Sequence, residues 1–433
     1  MENKKGFVST ALVYSFLVIY LFLMVSIINM YLSKNTYMEA LDDQVSEDIG
    51  ITKATKSTLM QNILRDNVAL ETNLINFTTI SNSTNNNGNG LYYVDETMLS
   101  GNDVKITDEA NIGSGKKIYF FRGTVNNNYV VFGYKYDRGS DDKIVAGTVK
   151  QMCWKILRTT QDGSVRLIYN GLYDGTSCNE SDVTIGSGAY NANNDDNAYV
   201  GYTFGKIGAT NYDDAHFTSQ NDSSVKTKID EFYYRNTSLY TYPEFDYQYV
   251  DVDGTTKAIP THYSNVVNSV YCNDRVSNCM DAMTPSDDNS CGYGSEATKY
   301  GYSADKMNSY KCRNFEDKYL LAGNFAGYTV GGNDNETSLI YSIALPTASE
   351  VVMAGGAIGS ENKTFFMKGN KSYWTMSPSS FDGTAKVYMV SSNGVLVESD
   401  VKSEIGIRPV ISIKEDMPVS YGSGLINEPY MLN

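Results

Sequence analysis

Six cysteines (Cys153, Cys178, Cys272, Cys279, Cys291 and Cys312) and two histidines (His216 and His262) have the greatest chemical reach in this 433-residue chain. No two cysteines stand as Cys-x-x-Cys, and the histidines are too few for the usual zinc patterns. An even set of thiols suits disulfides in an oxidising compartment; six free thiols are the alternative. Sequence leaves every connectivity open. The expected pairs are Cys153–Cys178, flanking a hairpin and its following loop, Cys279–Cys291, closing a short loop, and by remainder Cys272–Cys312. Neither histidine stands beside a Ser or Cys motif. Both are expected in surface loops, with no Ser-His-Asp site. The acidic runs 194–197, 251–254, 286–288 and 333–336 lack the closing Glu of an EF-hand loop and are expected as turns. No catalytic set, metal or cofactor is expected. Trp154 and Trp374, among apolar neighbours, are expected in the core, and Arg408 is expected to bond carbonyls or a carboxylate inside the fold.

Recognition is the remaining chemistry. Tyr is abundant, at 35 residues, and supplies contact area at low entropic cost; an ordinary secreted domain would account for the same composition. In Ala385-Lys386-Val387-Tyr388-Met389-Val390, strand alternation turns Val387 and Met389 inward and Lys386 and Tyr388 outward. The turn Ser391-Ser392-Asn393-Gly394 follows. The expected binding face comprises Ser379, Phe381, Lys386 and Tyr388, with Ser392, Asn393, Glu398 and Asp400. A solvated hairpin without a ligand is the competing reading.

These residues need elements to hold them. Helical periodicity predicts Val225 to Tyr234 and a shorter helix at 349–353, capped by Thr347 or Ser349. Strands are predicted at 117–123 and 129–134, joined by the turn Asn126-Asn127-Asn128, and at 153–158 and 165–169, joined by a hairpin turn. Further strands are predicted at 373–376, 385–390, 394–397 and 406–413. The fold class read from this pattern is α+β with antiparallel hairpins.

The amino-terminal part differs. From Phe7 to Leu32 no residue is charged. As a helix the run would span roughly 39 Å, enough to cross the roughly 30 Å hydrocarbon core of a bilayer. Lys4 and Lys5 precede it, and Glu39, Asp42, Asp43, Glu47 and Asp48 follow, an asymmetry that puts residues after the run outside the cytoplasm. The expected organisation is a cytoplasmic leader (1–6), a single transmembrane helix (7–32), a helical stalk (33–77), a flexible linker (78–90) and an extracytoplasmic α+β domain (91–433). Within the stalk, Met60, Ile63 and Leu64 form an apolar patch; packing of the stalk stripes against the domain is the alternative. The net charge of −15 argues against nucleic-acid binding.

Two resemblances add to this reading. Lys4-Lys5-Gly6-Phe7, followed at once by the apolar run, resembles a type IV prepilin leader, implying processing between Gly6 and Phe7. Pilins usually carry Glu at the fifth mature residue, where this chain has Ala11. Trp154-Lys155-Ile156-Leu157-Arg158, Arg166-Leu167-Ile168-Tyr169-Asn170-Gly171, Leu345-Pro346-Thr347, Trp374-Thr375-Met376-Ser377-Pro378 and Gly406-Ile407-Arg408-Pro409-Val410 occur in that order. The set resembles a family of uncharacterised Firmicutes cell-surface proteins with a pilin-like anchor. Its carboxyl-terminal part is similar to C-type lectin-like and formylglycine-generating-enzyme-like domains. The resemblance implies a lectin-like core with long loops, in which stretch 377–403 corresponds to a region diversified in some relatives. It implies neither calcium-dependent sugar binding, since no Glu-Pro-Asn or Gln-Pro-Asp triplet is present, nor formylglycine chemistry, since its paired active-site cysteines have no match.

The resulting expectation is a single-pass cell-membrane protein displaying a binding or adhesin domain outside the cell. Its partners would be the lipid bilayer and an extracellular protein or glycan, with pilin-like assembly as a further possibility. A minor pilin or pseudopilin, and an extracytoplasmic enzyme, are the alternatives.

Overall fold

The computed structural model describes residues 57–71, 88–94, 117–135, 137, 139–140, 145, 148–160, 163–210, 212–216, 221–236, 247–252, 255–260, 265–272, 318–321, 323–325, 328–330 and 338–432. The chain divides into Met1–Lys56, none of which is described, and Ser57–Asn433. The expected leader, the Gly6–Phe7 junction and the transmembrane run therefore lie outside the described residues. Among the described residues no helix is long and apolar enough to cross a membrane.

The first described helix, α1 (Leu59–Asp66), lies within the segment expected as stalk. Its Thr58–Gln61 capping box closes the first turn reciprocally. Leu59 and Ile63 are buried in the domain core, whereas Leu64 is exposed. The Leu59 and Met60 amides donate to the carbonyls of Met417 and Glu415. Helix α1 thus packs into the core of the unit Ser57–Asn433. Gly90 opens strand β1 (Gly90–Val94).

Strands β2 (Ile118–Arg122) and β3 (Tyr129–Lys135) were predicted to pair as a hairpin. Instead both lie antiparallel to the long strand β4 (Lys150–Thr159), with Phe120 opposite Arg158 and Tyr129 opposite Lys155. The residue between them explains this. Asn128 accepts from the Ile156 amide on its carbonyl and donates its side-chain amide to the Ile156 carbonyl, so the connection follows β4 rather than reversing. Strand β5 (Val165–Tyr173) completes the predicted hairpin with β4. From Met152 to Thr159 every residue of β4 is buried, including Lys155 and Arg158.

After helix α2 (Ser224–Arg235), capped by Ser223, and helix α3 (Ala348–Met353), capped by Thr347, the chain builds a second sheet. Its centre is β6 (Tyr373–Phe381), β7 (Ala385–Val390) and β8 (Val395–Asp400), paired antiparallel in sequence. The predicted strand 406–413 is interrupted. Gly406 pairs with Tyr373, and only from Val410 does β9 (Val410–Ile413) pair with β5. Pro409 has no amide to give a ladder. The last strand, β10 (Tyr430–Leu432), runs parallel to β3. Among the described residues the fold is β-rich with few helices, in one sheet of eleven strands, one of six and smaller sheets of two or three. Trp154 and Trp374 are fully buried, donating their indole N–H to the carbonyls of Phe132 and Gly188.

The two large sheets meet at α3. Arg158 and Arg166 face each other across β4 and β5, where like charges repel. One carboxylate answers both: Glu350 Oε1 lies 2.9 Å from Arg158 Nε and 3.0 Å from Arg166 Nη1. Its Oε2 accepts from the Thr347 amide, forming the capping box of α3. At the other end of the helix, Arg122 donates to the carbonyls of Val352 and Met353. Burial alone would raise the Glu350 carboxyl, but the two guanidinium groups outweigh it and hold it below its ordinary 4.5.

Its stabilisation is therefore complete above pH 4.5 and is lost as pH falls toward the lower native value. We expect Glu350→Gln to destabilise the domain by about 3–5 kcal/mol at neutral pH. The loss should shrink as urea titrations are repeated at decreasing pH below 4.5. A loss below about 1 kcal/mol, as for an exposed pair, would contradict this account.

Candidate functional site

Two regions bear on recognition: the expected hairpin face, and a cleft along helix α2 built from residues outside the expected binding face.

In the hairpin, the expected alternation fails at Tyr388. Val387 and Tyr388 are both buried, whereas Met389 is half-buried. The reason is position. β7 is an interior strand, and helix α3 and the 3-10 turn Asn197–Val200 also pack against it. Burial raises the Tyr388 hydroxyl above its ordinary value, partly offset by a hydrogen bond with Ser379. Ser379 is buried as well and donates to Glu398 Oε2 at 2.8 Å. Lys386, half-buried, pairs with Asp382 at 2.7 Å and lies 3.8 Å from Glu398. Phe381 and Asp400 are half-buried, and Asp400 accepts from the Asn194 amide. Ser392 and Asn393 are exposed in the turn at the far end of β7, where Asn393 donates to Glu361. The structure thus gathers Ser379, Lys386 and Glu398 into one polar cluster and separates Ser392 and Asn393 from it. Tyr388, expected to point outward on this face, is instead part of the core.

The cleft has a volume of about 590 Å³. Ile185, Phe232 and Ile407 supply apolar lining, and Lys135, Asp137, Lys228, Glu231 and Arg235 supply charge. Helix α2 provides one wall. Lys228, Glu231, Phe232 and Arg235 recur along one helical face, a signal legible in the sequence. Lys135 at the end of β3, and Ile185 and Ile407 from irregular segments, carried no such signal. Arg235 pairs with Glu231 at 2.8 Å. Lys228 reaches along the wall to donate to the Ser187 carbonyl. Gly188 permits that approach, since a Cβ there would stand 2.1 Å from Lys228 Nζ.

Other expected residues also have definite positions. His216, expected in a surface loop, is fully buried at the end of the short helix Tyr212–His216, while His262 lies outside the described residues. Asp196 caps the 3-10 turn and also accepts from the Gly208 amide, as a turn residue should. Cys153 and Cys178 form a disulfide with Cα atoms 5.8 Å apart. Cys272 is also disulfide-bonded, and Cys279, Cys291 and Cys312 lie outside the described residues. Arg408 is fully buried and bonds the carbonyls of Tyr169 and Met367 and the Asn170 side chain. No protein-family model, curated protein or solved structure matches this chain.

We expect Tyr388→Ala to cost about 3–5 kcal/mol of stability, as truncation of a buried aromatic does. Ser392→Ala and Asn393→Ala should each stay within about 0.5 kcal/mol. Urea unfolding of the three variants checks both, and a cost below about 1 kcal/mol for Tyr388→Ala would show that the ring is not a core element.

Proposed function

We propose that this chain is a membrane-anchored binding protein whose β-rich domain, of C-type lectin-like architecture, is displayed outside the cytoplasm. The observation that carries the reading is the pairing of two features. One is the uncharged run from Phe7 to Leu32 behind Lys4 and Lys5. The other is the buried Cys153–Cys178 disulfide in the domain that follows. Disulfides persist in oxidising compartments and are rare in the cytosol. A run of that length and polarity anchors a chain with its basic flank inside. The cleft along α2 joins apolar lining to a charged rim, the arrangement that holds small polar ligands and short segments of partner chains. An extracellular glycan or protein is the proposed ligand class, with the cleft preferred to the hairpin because Tyr388 is withdrawn from solvent.

Two measurements test the proposal. Protease added to intact cells with an accessible surface should remove residues beyond the anchor and leave a membrane-bound amino-terminal fragment; complete protection would overturn the topology. The full-length protein in detergent should bind members of a glycan or cell-surface protein array. Replacing both Lys135 and Arg235 with Ala should weaken that binding about tenfold or more, the effect of roughly 1.4 kcal/mol, while leaving the urea midpoint in place. Unchanged binding would exclude the cleft.

A further inference from the structure

One buried group is not explained by packing alone. Lys155 lies on β4 with its side chain almost wholly enclosed, and Nζ is 2.8 Å from Glu180 Oε1. The same carboxylate oxygen accepts from the side-chain amide of Asn170, at 2.9 Å. Asn170 is on β5, two residues beyond Ile168, the partner of Lys155 across the ladder. The next residue, Gly171, has φ +95°, and a Cβ there would stand 2.2 Å from the Asn179 carbonyl. Only glycine lets β5 bend there to meet the segment that carries Glu180. The carbonyl of the Asn170 side chain is engaged as well, accepting from Arg408 Nη2 at 2.7 Å. A nucleophilic amine, an amide, a carboxylate touching both and a guanidinium on the amide oxygen therefore share one enclosed site.

We propose that Lys155 and Asn170 form an intramolecular isopeptide bond between strands β4 and β5, assisted by Glu180 and Arg408. The unprotonated Nζ attacks Cγ of Asn170, and the negative charge that develops on Oδ1 is held by Arg408. Glu180 takes the proton released by Nζ and delivers it to Nδ2. The new Nζ–Cγ bond forms as the Cγ–Nδ2 bond breaks, and ammonia leaves. Each atom and electron pair is accounted for, with no oxidant or co-reactant. Fixing the amine beside the amide replaces a bimolecular encounter with an oriented intramolecular one.

The electrostatics supply the reactive form. Burial lowers the Lys155 ammonium to about 8, against the pull of Glu180. The groups facing it are Glu180, Tyr129, Arg408 and Lys368. Burial would raise the Glu180 carboxyl, but Lys155, Asn170 and Tyr129 outweigh it and hold it at about 2, so a carboxylate is in place to accept the proton. The Glu180 side chain is 38% exposed, which gives ammonia a path to solvent.

The test is peptide mapping of the full-length protein, reduced, denatured and digested. The expected result is one linked species joining the Lys155 and Asn170 peptides, lighter than their sum by one ammonia. Glu180→Gln should slow its appearance by about 100-fold or more. Lys155→Arg should abolish it. Recovery of Lys155 and Asn170 in separate peptides of full mass, after prolonged incubation of the folded wild type at about pH 9, would overturn the proposal. That wild-type result decides the matter even if a variant fails to fold.

Discussion

The fold depends on one carboxylate. Without Glu350, two guanidinium groups would stand opposite each other on neighbouring buried strands, a repulsive arrangement in a medium that screens poorly. With it, the pair becomes a joint. Glu350 belongs to the first turn of a six-residue helix that leads into the second sheet, and Arg122 from the first sheet holds the last turn of the same helix. Arg166 extends the joint outward, donating to Ser269 and the Val270 carbonyl and lying over the Tyr271 ring. One charged centre therefore fixes where the second sheet begins and where the segment 265–272 returns to the core. Buried ion pairs of this kind contribute little net stability against an apolar replacement, yet losing one partner is severe.

The disulfide and the indoles divide similar work around that joint. Cys153–Cys178 ties β4 to the short strand Cys178–Asn179 on the edge of β5. Trp154, beside it in sequence, is covered edge-on by Tyr169, and Trp374 is covered likewise by Tyr190. Each indole N–H is spent on a carbonyl, so neither ring leaves an unmet donor in the core.

Much of this was legible in the residues, and the failures share a cause. Helices α2 and α3 could be read because their caps and apolar spacing are local. The hairpins around β4 and β7 were legible for the same reason. The course of β2 and β3 was not, because it depends on Asn128 bonding to Ile156, a partner outside any local window. Tyr388 was misread because alternation assumes one solvated face, whereas on β7 the successive residues Val387 and Tyr388 are both buried. Helix α1 looked like a stalk because its apolar stripe is sound; only the carbonyls of Glu415 and Met417 reveal what it packs against. The α2 wall of the cleft follows helical spacing that the sequence carries. The rest comes from β3 and from irregular segments whose convergence is a property of the whole fold.

The first and last described segments of the domain are zipped together. Ser57 accepts from the Val419 amide, Thr58 bridges to Pro418, and the Tyr430 hydroxyl bonds Asp66. A chain synthesised amino end first must therefore leave the Leu59 and Met60 amides without these acceptors until residues 415–417 have followed. Joining these segments brings together residues 364 apart in sequence, the kind of long-range pairing that makes folding slow and aggregation-exposed.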